Sequence, residues 1–423
     1  MGEESKINML GRMKVFGTPG SAEAYAIRDF FHRSDVPLEW HSLLTDAEAA
    51  ALAGVKNLRD PRLPVCIFPD GTRLEHPTLR QITEKTGCFR NPTRAEYDLI
   101  IVGAGPAGLS AAVSAASEGL KTVVVERYAV GGQAGSTSKI ENYLGFPDGI
   151  SGADLASRAR AQAKKFGAEI LILREGLDGD FTPGKGIAFL ADGTKLVMHA
   201  TISATGVRYR KLDLPNEDRF NGAGLYYGAG ASEAQLCKDE HVFVVGGGNS
   251  AGQAAMYFSQ TARKVTIAIR GDGLKETLSQ YLVDRIEASP KIEVLTRTEV
   301  TALHGNDILR GITLTHKPTG QQQNYDTSWL FLCLGGAPQT DWAAEHGIER
   351  DEQGYLITGP DLRKDGQQIK NWPLDREPYY LETNMPGLFA AGDVRHGSVK
   401  RCASAVGEGA MAVTFVNRYL AHL

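Results

Sequence analysis

The sequence predicts an α/β fold made of more than one unit, and three observations carry that prediction. The chain has 423 residues, enough for two or three domains at the roughly 100–200 residues that one core usually organises. An apolar strand running into a glycine-rich turn, a small-residue helix and a second apolar strand occurs twice, at 97–127 and at 241–270, and a repeat on that scale decides the architecture. The segment 13–87 instead alternates short apolar runs, amphipathic stretches and turn signals.

Apolar residues make up 42% of the chain and charged residues 23%, as in ordinary globular proteins, while 48 glycines exceed the usual share of about 7%. A net charge of −4 without a dense Lys/Arg run gives no electrostatic reason to expect nucleic acid or a membrane surface as partner. No apolar run reaches the roughly 18 residues needed to cross a bilayer, and the polar start is not a signal peptide, so a cytoplasmic protein is expected. Cys66, Cys88, Cys237, Cys333 and Cys402 are scattered, with no Cys-x-x-Cys among them, which argues against a disulfide framework and a zinc site. The histidines, His396 included, lack metal-ligand spacing, and no metal is expected.

In order along the chain, 1–12 reads as a tail. Strand 13–16, turn Gly17-Thr18-Pro19-Gly20, helix 22–32, strand 38–44, helix 46–53, strand 65–68, turn Pro69-Asp70-Gly71 and helix 78–86 make a small α/β unit over 13–87. Residues 88–96, with Asn91-Pro92, read as a linker.

The first glycine turn is Gly103-Ala104-Gly105-Pro106-Ala107-Gly108. Gly103 permits the tight turn, Gly105 lets backbone approach a pyrophosphate, and Gly108 allows close helix–strand contact at a helix N-terminus that attracts phosphate. Glu126 closes the second strand, where a carboxylate can accept from an adenosine ribose. The second turn is Gly246-Gly247-Gly248-Asn249-Ser250-Ala251, in which Ala251 stands at the third position. Here Ile269 occupies the place of the acid, followed by Arg270 and, nearby, Lys275. That exchange suits a ribose 2′-phosphate and favours NADPH over NADH; a solvated strand end is the alternative. Two Rossmann-like dinucleotide-binding domains follow, and which nucleotide the first one holds depends on what lies further along the chain.

The chain from 97 onward resembles the low-molecular-weight thioredoxin reductases, and the resemblance implies an FAD domain over 97–207 and 337–423 with an NAD(P)H domain over 208–336 between its two parts. Gly131-Gly132-Gln133, Asn142, Thr205-Gly206 and Gly387-Leu388-Phe389-Ala390-Ala391-Gly392-Asp393 follow in the order found in flavoprotein disulfide reductases. The resemblance implies that Gly132, Gln133, Asn142, Thr205, Gly206, Gly392 and Asp393 join the first turn in holding FAD, Asp393 on the ribityl chain. Arg401 and Cys402 fall at the segment expected to approach the flavin, with apolar packing as the alternative for Cys402. The resemblance implies Gly246, Gly248, Asn249, Ser250, Ala251, Arg270 and Lys275 for NADPH, and a homodimer.

One departure matters. The resembled family carries a Cys-x-x-Cys shortly before the second glycine turn, where this chain has Gly228-Ala229-Gly230-Ala231-Ser232, and Cys237 lies beyond without a partner. The N-terminal unit resembles a glutaredoxin or thioredoxin-like fold through Met13 to Gly20, Leu63-Pro64-Val65 and Asp70-Gly71, with a generic α/β appendage as the alternative. That resemblance implies a cis-proline at Pro64 and a dithiol after Gly20, where Ser21-Ala22-Glu23-Ala24 stands. Neither place can exchange disulfides.

The function expected is an FAD-dependent NAD(P)H oxidoreductase. Hydride passes from NADPH to FAD and then to oxygen, a quinone, a small disulfide or a ferredoxin-type protein, with no protein acid, base or nucleophile assigned. Thioredoxin-disulfide reduction by family resemblance and a non-catalytic flavin-binding sensor or interaction module are the alternatives. The polar stretch 361–378 reads as a surface loop.

Overall fold

A computed structural model describes residues 12–34, 38–228, 231–363, 369 and 372–423. The expected tail up to Gly11, Ala229-Gly230 and the Lys364-Asp365-Gly366 part of the polar stretch lie outside the described residues. The chain forms two compact units. One comprises Met1–Thr86, Ser136–Lys139 and Tyr209–Gly335, the other Gly87–Gly135, Ile140–Arg208 and Gly336–Leu423.

The N-terminal part of the first unit is a four-stranded sheet in the spatial order Leu38–Ser42, Met13–Gly17, Val65–Ile67, Arg73–Glu75. The first pair is parallel and the others antiparallel. A parallel pair needs a crossover, which helix Ala22–Ser34 supplies, burying Ile27, Phe30 and Phe31. Helices Asp46–Ala53 and Leu79–Lys85 each start in a capping box, Thr45 with Glu48 and Thr78 with Gln81, which satisfies amides that the helix itself leaves bare. The Leu63–Pro64 peptide is cis. The strand Arg73–Glu75 is absent from the sequence reading; it pairs with Val65–Ile67 across the Pro69-Asp70-Gly71 turn.

The rest of this unit centres on a five-stranded parallel sheet, ordered Leu225–Tyr227, Leu330–Leu332, His241–Val245, Lys264–Ala268, Ile292–Leu295. Its strands read as unbroken apolar runs because both faces are covered. Val242 and Val244 pack with Phe258, Leu282 and Ile286 of the helices, while Phe243 and Val245 pack with Ile312 and Leu314 of an antiparallel three-stranded sheet. The N-terminal helix joins the same unit through Tyr25, whose ring meets Tyr226 at 5.0 Å.

In the second unit, parallel strands Glu169–Leu171, Thr122–Val125, Glu96–Val102, Lys195–Ser203 and Leu388–Ala390 are extended by antiparallel Gly186–Leu190 and Gly176–Asp180. Small residues let helix Pro106–Ser117 and the C-terminal helix Cys402–Leu420 touch backbone to backbone. A Cβ on Gly409 would lie 2.1 Å from Ala107 O, and Ser110 Oγ donates to Val406 O at 2.7 Å.

The segment 88–96 is fastened rather than loose. Buried Arg174 donates to Arg90 O at 3.1 Å and to Asn91 Oδ1 at 2.7 Å, and its guanidinium stacks on Phe89. No helix among the described residues is long and apolar enough to cross a membrane.

Candidate functional site

The first glycine turn opens helix Pro106–Ser117 at Gly105, with no side-chain cap, so its early amides are available to an anion. The protein itself demands two of the three glycines. Gly103 has φ +106° and a Cβ there would lie 2.3 Å from Ala204 O; a Cβ on Gly108 would lie 1.8 Å from Gly103 O. Gly105 is different: a Cβ would meet only Gly132 Cα, at an ordinary 3.8 Å. Packing leaves room for a Cβ at this position, so the fold itself does not demand glycine here.

Glu126 is buried and held by two amides, accepting from Ala104 N at 2.7 Å and Tyr128 N at 2.9 Å. A carboxylate has about four acceptor sites, so capacity remains for ribose hydroxyls. Beside the turn, Gly131 N donates to Ala104 O at 2.7 Å, Gln133 Nε2 to Val207 O at 2.7 Å, and Gly206 adopts φ +63°. A Cβ on Gly392, φ +78°, would lie 2.9 Å from Ala107 Cβ, which brings Asp393 to the same helix.

The Asp393 carboxylate accepts no hydrogen bond among the described residues. Burial pushes its carboxyl up, opposed by Lys400 and reinforced by Glu408. A half-buried acceptor without a partner fits a ligand that brings hydroxyls. Lys400 Nζ donates to Asp393 O at 2.7 Å, Arg401 caps the C-terminal helix by backbone alone, and Cys402 begins it with its thiol pushed up to about 11 by burial. Asn142 is exposed, and no hydrogen bond joins it to this group among the described residues.

The bare amides, the Gly105–Gly132 gap, Glu126 and Asp393 together fit FAD, with phosphate, adenosine ribose and ribityl chain each matched by complementary groups.

The second turn opens helix Asn249–Phe258 at Gly248, also uncapped. Gly246 has φ +137° and a Cβ would lie 2.3 Å from Cys333 O, whereas nothing lies within 4 Å of a Cβ on Gly248. Ala251 is 1% exposed, so its methyl is accommodated where the first turn needs glycine. Asn249 turns its side chain to Ser279, donating to Oγ at 2.9 Å and accepting from Ser279 N at 2.8 Å. Ser250 follows it in the first helical turn. Ile269 is buried, while Arg270 and Lys275 are exposed.

Sequence reasoning missed three neighbours here. Thr277 Oγ1 donates to Gly247 O at 2.5 Å, Ser279 holds Asn249, and Arg297 N donates to Gly271 O at 3.0 Å, bringing a second guanidinium to the Arg270 edge. Arg297 also pairs with Asp272 at 2.6 Å. Thr277 and Ser279 come from the segment before helix Gln280–Glu287 and Arg297 from the turn after strand Ile292–Leu295, all distant in sequence from the glycine turn.

After strand Leu225–Tyr227, Gly228 has φ +85° and a Cβ would lie 2.6 Å from Tyr209 Oη. Glu233 is fully buried and takes both arms of Arg28, Nε at 3.2 Å and Nη2 at 2.8 Å. Cys237 is 0% exposed in the apolar core of the parallel sheet, and burial pushes its thiol up. All five cysteines are free; Cys66 and Cys333 are each pushed up to about 12 by burial. After Gly20, Ser21 accepts from Ala24 N at 3.1 Å and so caps the helix.

The profile of the pyridine nucleotide-disulphide oxidoreductase family matches residues 97–409. A thioredoxin reductase of Streptomyces clavuligerus is 35% identical over 331 residues, covering 77% of this chain and 94% of its own length. That of Bacillus subtilis is 34% identical, covering 77% and 96%. The thioredoxin reductase structure from Lactococcus lactis superposes with a TM-score of 0.68 at 28% identity, covering 77% of this chain and all of that one. The one from T. acidophilum does so at 0.67 and 28%, covering 77% and 99%.

Proposed function

Because the chain belongs to the pyridine nucleotide-disulphide oxidoreductase family and is a thioredoxin reductase-like, FAD-dependent NAD(P)H oxidoreductase, we propose that its flavin passes electrons to an external acceptor without an internal dithiol. The family's cofactors are FAD and NADPH. FAD, when bound, supplies the hydride-accepting and electron-donating chemistry.

The residues of this chain bind and orient. In this reading Gly105 and Gly132 admit the pyrophosphate, Glu126 and Asp393 take the sugar hydroxyls, and Gly248, Arg270 and Arg297 hold the nicotinamide nucleotide. The observation that carries the proposal is the segment leading to Glu233. A disulfide relay needs an exposed thiolate and a second cysteine in reach, and here Gly228 lies under Tyr209, Glu233 is locked to Arg28 and Cys237 is sealed in the core.

The N-terminal unit is read as a thioredoxin-like domain without its dithiol, supported by the 2-1-3-4 strand order and by Ser21 serving as a helix cap. The acceptor is a small oxidant or an electron-transfer protein, and the chain is taken to act as a cytoplasmic homodimer.

Anaerobic mixing of the FAD-loaded protein with NADPH tests the enzyme reading. Rapid loss of the flavin absorbance is expected, followed by its return on adding a quinone or dye. An unchanged spectrum would leave a flavin-binding module instead.

A further inference from the structure

The turn that carries Asp393 is closed by one backbone hydrogen bond of its own, Arg395 N to Gly392 O at 3.0 Å, and Leu356 N donates to Val394 O at 3.0 Å. It is a single 3₁₀ turn, Gly392–Val394. Its first residue cannot carry a side chain, because φ is +78° and a Cβ would lie 2.9 Å from Ala107 Cβ. The side-chain contacts that flank Asp393 come from the C-terminal helix. Glu408 Oε2 accepts from Gly392 N at 2.6 Å, and Oε1 accepts from Arg395 Nη2 at 2.6 Å. Arg395 Nη1 in turn donates to His396 O at 2.8 Å, so the loop is gripped on both sides of Asp393.

Both side chains are largely buried, at 8% and 13% exposure. A buried ion pair seldom adds net stability over an apolar pair, so stability is a poor reason for its presence. Fixing one geometry is a better one. The next residue, Gly409, seats the same helix against Ala107 O, which ties the Asp393 turn and the glycine-turn helix to one rigid element.

We propose that Glu408, with Arg395, is the positioning residue that sets Asp393 and the start of helix Pro106–Ser117 in register for one extended dinucleotide. It acts through Gly392 and does not itself touch the flavin. The inference rests on the FAD reading of this site.

The test compares full-length wild type, Glu408→Gln and Glu408→Ala, each stripped of flavin and titrated with FAD, with flavin fluorescence and visible circular dichroism as readouts. Glutamine can still accept from Gly392 N but cannot take the charge of Arg395.

Glu408→Ala is expected to bind FAD roughly 10- to 150-fold more weakly, the range for losing a charge-assisted hydrogen bond. Glu408→Gln should recover part of that loss, with an altered visible dichroism signal. If the alanine variant does not fold, the glutamine variant decides, and wild-type affinity together with a wild-type spectrum in it overturns the proposal. Wild-type FAD affinity in a folded Glu408→Ala protein overturns it equally. A wild-type protein that takes up no FAD sinks the underlying reading, which separates the two failures.

Discussion

The two glycine turns obey the same steric logic and diverge in their chemistry. In each, the first glycine is fixed by a positive φ and a backbone carbonyl, Ala204 O against Gly103 and Cys333 O against Gly246. In each, the middle glycine has no such constraint: Gly105 has one ordinary contact and Gly248 has none within 4 Å. The fold therefore fixes the first-position glycines and leaves the middle ones free of steric demand, as the proposed nucleotide sites would need. The third position shows how local that demand is, since Gly108 is fixed by Gly103 O while Ala251 fits with its methyl buried. Beyond the turn the chemistry separates, with Glu126 pinned by two amides at one and exposed Arg270 at the other. A carboxylate recognises a ribose diol, and a guanidinium recognises a phosphate.

The largest effect should come from breaking the middle position of the first turn. Gly105→Glu places a side chain and a negative charge where the pyrophosphate would lie, and the surrounding fold has room for its Cβ. The variant should fold, by far-UV circular dichroism, and purify without flavin. A yellow protein with full flavin content would show that the ligand lies elsewhere. Gly103→Ala is the contrast: it should damage the fold itself, because both φ and Ala204 O oppose a side chain.

A smaller effect sharpens the chemical difference. Arg270→Ala should raise the dissociation constant for NADPH by about tenfold or more, in line with the ~1.5–3 kcal/mol of a charge-assisted contact, and leave that for NADH nearly unchanged. Arg297→Ala should act in the same direction but less, since Asp272 already holds its guanidinium. Equal losses for both nucleotides would mean that neither arginine reads the 2′-phosphate.

How much of this was legible in the sequence follows from distance along the chain. Glycine turns, helix starts and terminal acids are local patterns, so both turns and Glu126 could be read directly. Partners joined by sheet pairing could not. Arg28 meets Glu233 across 205 residues, and nothing in either neighbourhood announces it. Arg297 reaches Gly271 only through strand pairing, and Glu408 reaches Gly392 only because the last helix folds back. The segment 88–96 was misleading for the same reason: Asn91-Pro92 signals a turn, but the residue that anchors it, Arg174, is remote in sequence. Local bounds shifted modestly. Thr78 serves as the cap of helix Leu79–Lys85 rather than its first residue, and the strand beginning at Leu38 ends at Ser42.

The central claim is that electrons leave the flavin without passing through a cysteine pair. It is tested most directly by supplying the FAD-loaded protein with NADPH and oxidised thioredoxin, following insulin reduction, with a dye acceptor as positive control. With Glu233 locked by Arg28 and Cys237 at 0% exposure, dye reduction should proceed and thioredoxin should stay oxidised. Thioredoxin turnover at rates usual for enzymes, about 1–10³ per second, and its loss in Cys237→Ala, would contradict the account.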